Sequence, residues 1–263
     1  MSGKRTVVAV DELRQAYRGV LAGDYRQGPR TNVVSAGATI WIPGSPSQHA
    51  VLVIGCIGSA GASTMALALA TVAGDARVVE CCSVASSGLA GASSAELGAG
   101  PNGWVQGSRG PTLIERRGDR VVSSKELPPP SPSDRTWTFL DCSVDADLLL
   151  VSPGWLGVLA RTVPHVVAVT RATSPGLRRL EIAVGLIGAD RLQAVVMGAE
   201  RRWPRQLEQS VGAATRELRA NGRLMTVPPD AALDVHGLTV DPLPATVLTV
   251  AADLLVNLKG THQ

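Results

Sequence analysis

The chain has 263 residues, of which 45% are hydrophobic and 18% charged, and its net charge is +3. That length suits one large domain or one domain with an extension, and so small a net charge does not by itself mark a nucleic-acid binder. No apolar stretch reaches the roughly 20 residues of a membrane helix, and the sequence shows neither a signal-peptide core nor a disulfide or zinc spacing among its four Cys.

A soluble, cytoplasmic, reduced protein is therefore expected. Aromatic residues are only 3% with a single Phe, so the core must come from Ala, Val and Leu, as in many α/β domains. Basic charge is almost wholly Arg. Lys stands only at positions 4, 125 and 259, which leaves few candidates for a phosphate-binding lysine.

In chain order, residues 10–26 read as a short helix with Leu13, Tyr17 and Leu21 on one face. A Gly/Pro/Ser-rich connector from Gln27 to His49 follows, carrying ATIWI at Ala38–Ile42, and Trp41 is expected to pack on the parent domain. Residues 1–49 are thus set apart as an extension and residues 50–263 as the main domain. Short, unalternating aliphatic runs recur at Val51–Gly55, Arg77–Cys81, Trp137–Leu140, Val166–Thr170, Ala194–Met197 and Leu224–Val227. Such runs suit buried parallel strands.

Helical segments separate most of them. Ser63–Ala73 is Ala/Leu-rich, and Ser174-Pro175 opens a helix as N-cap and first-turn proline. Leu207, Val211 and Leu218 stripe another, stopped by Asn221-Gly222, and the last starts at Pro244. This alternation predicts an α/β fold with a doubly wound, mostly parallel sheet. Ligands bind such sheets at the carboxyl ends of the strands. Residues 83–133, rich in Gly, Ser and Pro, break the rhythm and are expected to form an irregular, mobile insertion with a hairpin around Thr112–Val122.

The first strand, VLVIG, runs into Cys56-Ile57-Gly58-Ser59-Ala60-Gly61-Ala62-Ser63-Thr64 and then a helix. A glycine-rich turn between strand and helix can cradle phosphate with backbone N–H groups and the helix dipole alone. The stretch resembles the deviant Walker A box of the ParA/MinD ATPases, K-G-G-x-G-K-[ST]-T. Gly58 and Gly61 match its glycines, and Ser63 and Thr64 its hydroxyls. Ser59 stands for the second glycine, while Ile57 and Ala62 replace both lysines.

The likeness continues in register. Glu80 and Cys82 stand at the acidic positions of the second strand, and Asp141 ends a Walker B-like strand. Gly198 stands where an Asn usually reads adenine, and Val227-Pro228-Pro229-Asp230 is similar to the closing segment beside the base. The resemblance spans about residues 50–258 and implies a P-loop NTPase-like three-layer sandwich.

It further implies ATP or ADP with Mg²⁺ as cofactor, bound weakly or not at all, by Gly58 to Thr64 with Glu80, Asp141, Pro228 and Asp230; Ser63 and Asp141 are the metal candidates. Without lysine charge on the phosphates, turnover should fall by about 10²–10³ unless Arg171 or Arg109 substitutes. Resemblance to degenerate proteins of the TadZ/CpaE kind, and to proteins of actinobacterial plasmid-transfer regions, implies an accessory role with a protein partner in transfer, partition or secretion, with a homodimer as a further candidate assembly. The alternatives are an active ATPase that dimerises around nucleotide, and a DNA-binding module.

Other features carry less. Cys56, Cys82 and Cys142 follow strand ends, with Cys81 alongside, where a thiolate or metal site competes with the simpler role of small apolar filler. Arg201, Arg202 and Arg205 around Trp203 could meet DNA phosphates or a partner, but such runs are more often solvated loops. Arg109, Arg116, Arg117 and Arg120 invite the same comparison. The C-terminal helix lacks the basic flanks of a membrane anchor and is read as core packing.

Overall fold

The computed structural model describes residues 41, 43, 45, 47–82, 88–117, 126–200 and 202–260. The helix expected over residues 10–26 and most of the connector after it lie outside the described residues. All six aliphatic runs are strands of one nine-stranded sheet: β1 (His49–Gly55), β2 (Ala76–Cys81), β6 (Trp137–Cys142), β7 (Val166–Arg171), β8 (Leu192–Met197) and β9 (Leu224–Val227). With β3 (Ala95–Ala99), β4 (Trp104–Arg109) and β5 (Thr112–Arg117), the order is β3-β4-β5-β2-β6-β1-β7-β8-β9. From β5 to β9 every pairing is parallel, and β3 and β4 add antiparallel at one edge. Its central strands, β1, β2, β6, β7 and β8, are buried on both faces, which is why they read as unbroken apolar runs.

Helices cover both faces. On one lie α1 (Ala62–Ala73) and the C-terminal helix α8 (Ala245–Gly260), with Met65, Leu67, Leu69, Val247, Ala251, Leu254 and Leu258 closing the core. The other carries α2 (Ala146–Val151), α3 (Trp155–Thr162), α4 (Ser174–Ile187), α5 (Arg205–Glu208) and α6 (Ala213–Ala220), led by Leu149, Leu156, Leu177, Leu180 and Leu218. A short α7 (Ala231–His236) precedes α8. Trp41 packs edge-on against Trp155 at 5.8 Å, as expected of it, and Trp155 Nε1 donates to the Leu127 carbonyl at 2.8 Å.

Three sequence readings need correction. Residues 88–117 are not irregular: they build the β3–β5 meander, whose β4–β5 hairpin turns at Gly110-Pro111, ahead of the place expected. The buried arginine of β2 ties this meander in. Arg77 pairs with Glu115 at 2.9 Å and donates to Thr138 Oγ1 at 3.0 Å, while Gln106 donates to the other Glu115 oxygen at 3.0 Å. Next, α4 is capped by Thr173, whose hydroxyl accepts from the Gly176 amide at 3.1 Å, one residue before the expected cap. Finally, the single helix expected from Leu207 to Leu218 is broken into α5 and α6. Glu181 of α4 accepts from the Ala214 and Thr215 amides at 2.8 and 2.9 Å and so caps the second piece from outside.

Candidate functional site

The sheet sets β1 between β6 and β7, so the turn after Gly55 opens at the carboxyl end of its middle. Two backbone positions shape this turn. Gly61, just before α1, has φ 94°, and Ser59 has φ 56°. Glycine enters that left-handed region freely, whereas a side chain there costs about 1–2 kcal/mol. A Cβ on Gly61 would also stand 3.1 Å from Met197 Cγ. Ser59 therefore holds a conformation that glycine would adopt more easily. The first amides of α1 have no intrahelical acceptor and sit at the positive end of the helix dipole, an arrangement that attracts anions. No cation supplements them from the lysine positions, because Ile57 and Ala62 pack half-buried against the α1/α8 side of the core.

Parallel register places Glu80 of β2 beside Asp141 of β6, both under α1. Asp141 is only 2% exposed; it accepts a hydrogen bond from Ser63, and its Oδ2 has no partner. Burial pushes its acidity up to about 7, the Ser63 hydrogen bond opposes this, and the charge of Glu80 adds to it. Glu80, 3% exposed, accepts from the Gly88 and Leu89 amides, each at 3.1 Å. Gly88 is thereby set against Ser63 so closely that a Cβ on it would lie 3.2 Å from both Ser63 Cβ and Oγ.

The structure thus brings Ser63, Asp141 and Glu80 together at the start of α1. A hydroxyl and a carboxylate are suitable donors for Mg²⁺, but that ion demands about six oxygens at about 2.1 Å and keeps several waters. As the structure stands, the Ser63 hydroxyl is given to Asp141 and Gly88 packs against the same side chain, while Asp141 Oδ2 is left without a partner.

The segment expected beside the base is engaged with α7. Asp230 spends its carboxylate on the Leu233 amide at 2.9 Å, capping α7, and Pro228 is exposed beside it. Both arginines that could replace the lysines are engaged with this region: Arg171 pairs with Asp234 at 2.8 Å, and Arg109 donates to the carbonyls of Thr239, at 2.8 Å, and Asp241.

The thiols resolve toward packing. Cys56, Cys81 and Cys142 belong to the core on the α2–α6 face, opposite Ser63, and among the described residues no cluster suited to a metal occurs. Burial raises all of them, Cys56 and Cys142 to about 12, so they remain protonated thiols. Cys82 is likewise raised, by burial first and then by the charges of Glu80 and Asp141.

The arginines are mostly in use. Arg116 holds Glu96 at 2.6 Å, and Arg117 lies over Trp104 at 5.2 Å. Trp203 packs on the core beneath the Arg219 guanidinium at 4.2 Å, leaving Arg202 and Arg205 exposed. Arg201 and Arg120 lie outside the described residues. Two functional features were missed from sequence. The charge of Arg77 within a buried strand was the available signal for its network, whereas nothing in SSGLAGASS singled out Gly88.

A mostly parallel sheet with a glycine-rich turn leading from β1 into α1 matches a P-loop α/β fold, and the fold is that of the ParA/MinD ATPases. Three solved structures show this. A Borrelia burgdorferi protein assigned to plasmid partition, bound to AMPPNP, matches with a TM-score of 0.52 at 9% identity, over 82% of this chain and 99% of that one. A ParA family ATPase from Chlorobium tepidum gives 0.51 at 13% identity, over 81% and 100%. The MinD cell division protein of Aquifex aeolicus gives 0.50 at 10% identity, over 81% and 97%. No protein-family profile matches the chain, and no curated protein matches it in sequence. Among the described residues, no helix is long and apolar enough to cross a membrane.

Proposed function

We propose that this chain is a ParA/MinD-like pseudo-ATPase. It binds ATP or ADP weakly through the backbone of Gly58–Thr64 and hydrolyses neither at a useful rate. Its role is that of an accessory protein docking a protein partner in partition, DNA-transfer or secretion machinery. The observation that carries this reading is the turn itself: Gly61 and Ser59 hold left-handed backbone before the first amides of α1, while Ile57 and Ala62 pack as apolar residues and Arg171 and Arg109 are held elsewhere. A fold neighbour bound to AMPPNP and others from partition and cell division support the ligand class and the setting.

Titration calorimetry with ADP tests it. The expected dissociation constant is about 0.1 mM or weaker, tightening at least tenfold in Ala62→Lys and vanishing in Ala62→Glu, since one charge beside phosphate is worth about 1–3 kcal/mol. Submicromolar binding by the unaltered chain, or indifference to either substitution, would contradict the reading.

A further inference from the structure

Ser63 is approached from outside the turn by a segment that the fold goes to some length to fix. Gly88 and Leu89 donate to one oxygen of buried Glu80. Leu89 and Ala92 are themselves buried in the core layer that also holds Ala60 of the turn. On its far side the segment meets the loop after α7, where a Cβ on Gly91 would stand 2.8 Å from the Leu238 carbonyl oxygen. That loop is held in turn by Arg109 of β4, through the carbonyls of Thr239 and Asp241. Gly88–Ala92 is therefore a strap clasped between the phosphate turn and the 238–241 loop. At Gly91 the fit leaves no room for a side chain, and at Gly88 a Cβ would press on the Ser63 side chain.

We infer that Glu80 is a positioning residue that latches the Gly88–Ala92 strap over Ser63, closing the metal side of the turn, so that phosphorylated ligands bind here without a divalent cation. Glu80 does this as a hydrogen-bond acceptor for two amides rather than as a charge for water or metal. Gly88 lets the strap lie on Ser63 without pressing on its side chain. The ligand half of the inference rests on the anion-cradle reading above; the latch itself does not.

Amide hydrogen exchange and Mn²⁺ titration together test it. In the full chain the 88–92 amides are expected to be protected. Exchange there should quicken at least tenfold in Glu80→Ala but stay within about threefold of the unaltered chain in Glu80→Gln, which keeps the acceptor oxygen. Peptides from β1 and β6 should keep their protection in both and report that the fold is intact. Should Glu80→Ala fail to fold, Gly88→Ala supplies the same readout by pushing the strap off Ser63. Equal exchange with and without the acceptor, or a Glu80→Gln variant as fast as Glu80→Ala, overturns the latch.

For the ligand arm, Mn²⁺ is followed by electron paramagnetic resonance with ADP present. It should leave ADP affinity within twofold in the unaltered chain and tighten it at least tenfold once the strap is released. Mn²⁺ bound by the unaltered chain and lost in Asp141→Asn would overturn the closed metal side. ADP binding to none of the proteins would remove the cradle reading and, with it, the ligand half, while the exchange result still decides the latch.

Discussion

Ser59 and Asp141 show how much of the site is settled by single residues. A serine in the left-handed region keeps a glycine's geometry at a cost of about 1–2 kcal/mol, so the turn is maintained against local preference. Asp141 is a buried acid with one unsatisfied oxygen, and its acidity of about 7 ties stability to pH. Below pH about 4 folded and unfolded chains both hold this proton. Between about 4 and 7 the unfolded chain releases it while the fold retains it, so this group's contribution to stability falls as pH rises and is fully lost above about 7. Asp141→Asn, which cannot ionise, should escape the loss. Its stability relative to the unaltered chain, from urea unfolding, is expected to rise by on the order of 2–3 kcal/mol between pH 5 and pH 8. A gap that does not change with pH would show that Asp141 is ionised throughout.

Among elements, the β3–β5 meander adds a hydrogen-bonded edge to the parallel sheet, and the Arg77–Glu115 pair fixes its register from inside. Burial lowers Arg77's own basicity, against the pull of Glu115, so the pair stays ionic only by holding together. Breaking one half should leave an uncompensated buried charge. Glu115→Leu is expected to cost about 3–5 kcal/mol in urea unfolding, with Arg77→Met/Glu115→Leu recovering most of it. Equal losses in the single and double variants would mean that the pair is not the fastener. The C-terminal helix offers a simpler case. Leu254 is fully buried against the α1 side, and Leu254→Ala should cost about 2–5 kcal/mol; a loss under 1 kcal/mol would return α8 to the list of surface helices free to bind something else.

At the scale of the molecule, the parallel core was legible because burial on both faces writes itself as short aliphatic runs, and each of the six runs is a strand. The strand–turn–helix around Gly58–Thr64 was legible because an apolar run passes through glycines into an Ala/Leu-rich stretch. The meander was not. Its strands AELGA and WVQGSR hold glycine, charge and no sustained alternation, since β3 lies exposed at the edge and pairs on one side only. Nor could spacing show that Glu80 would spend itself on the Gly88 and Leu89 amides, or that Asp230 would cap a helix. Both depend on where loops return.

For the whole chain, the proposed function is a cradle that, without its lysines, binds phosphate but drives no chemistry. Phosphate release from saturating ATP with Mg²⁺ by the purified full-length chain measures this most directly. The expected rate is at or below the background of an Ala62→Glu control, in which the cradle is blocked. Steady turnover well above that control, abolished by Asp141→Asn, would show a working ATPase and contradict the account.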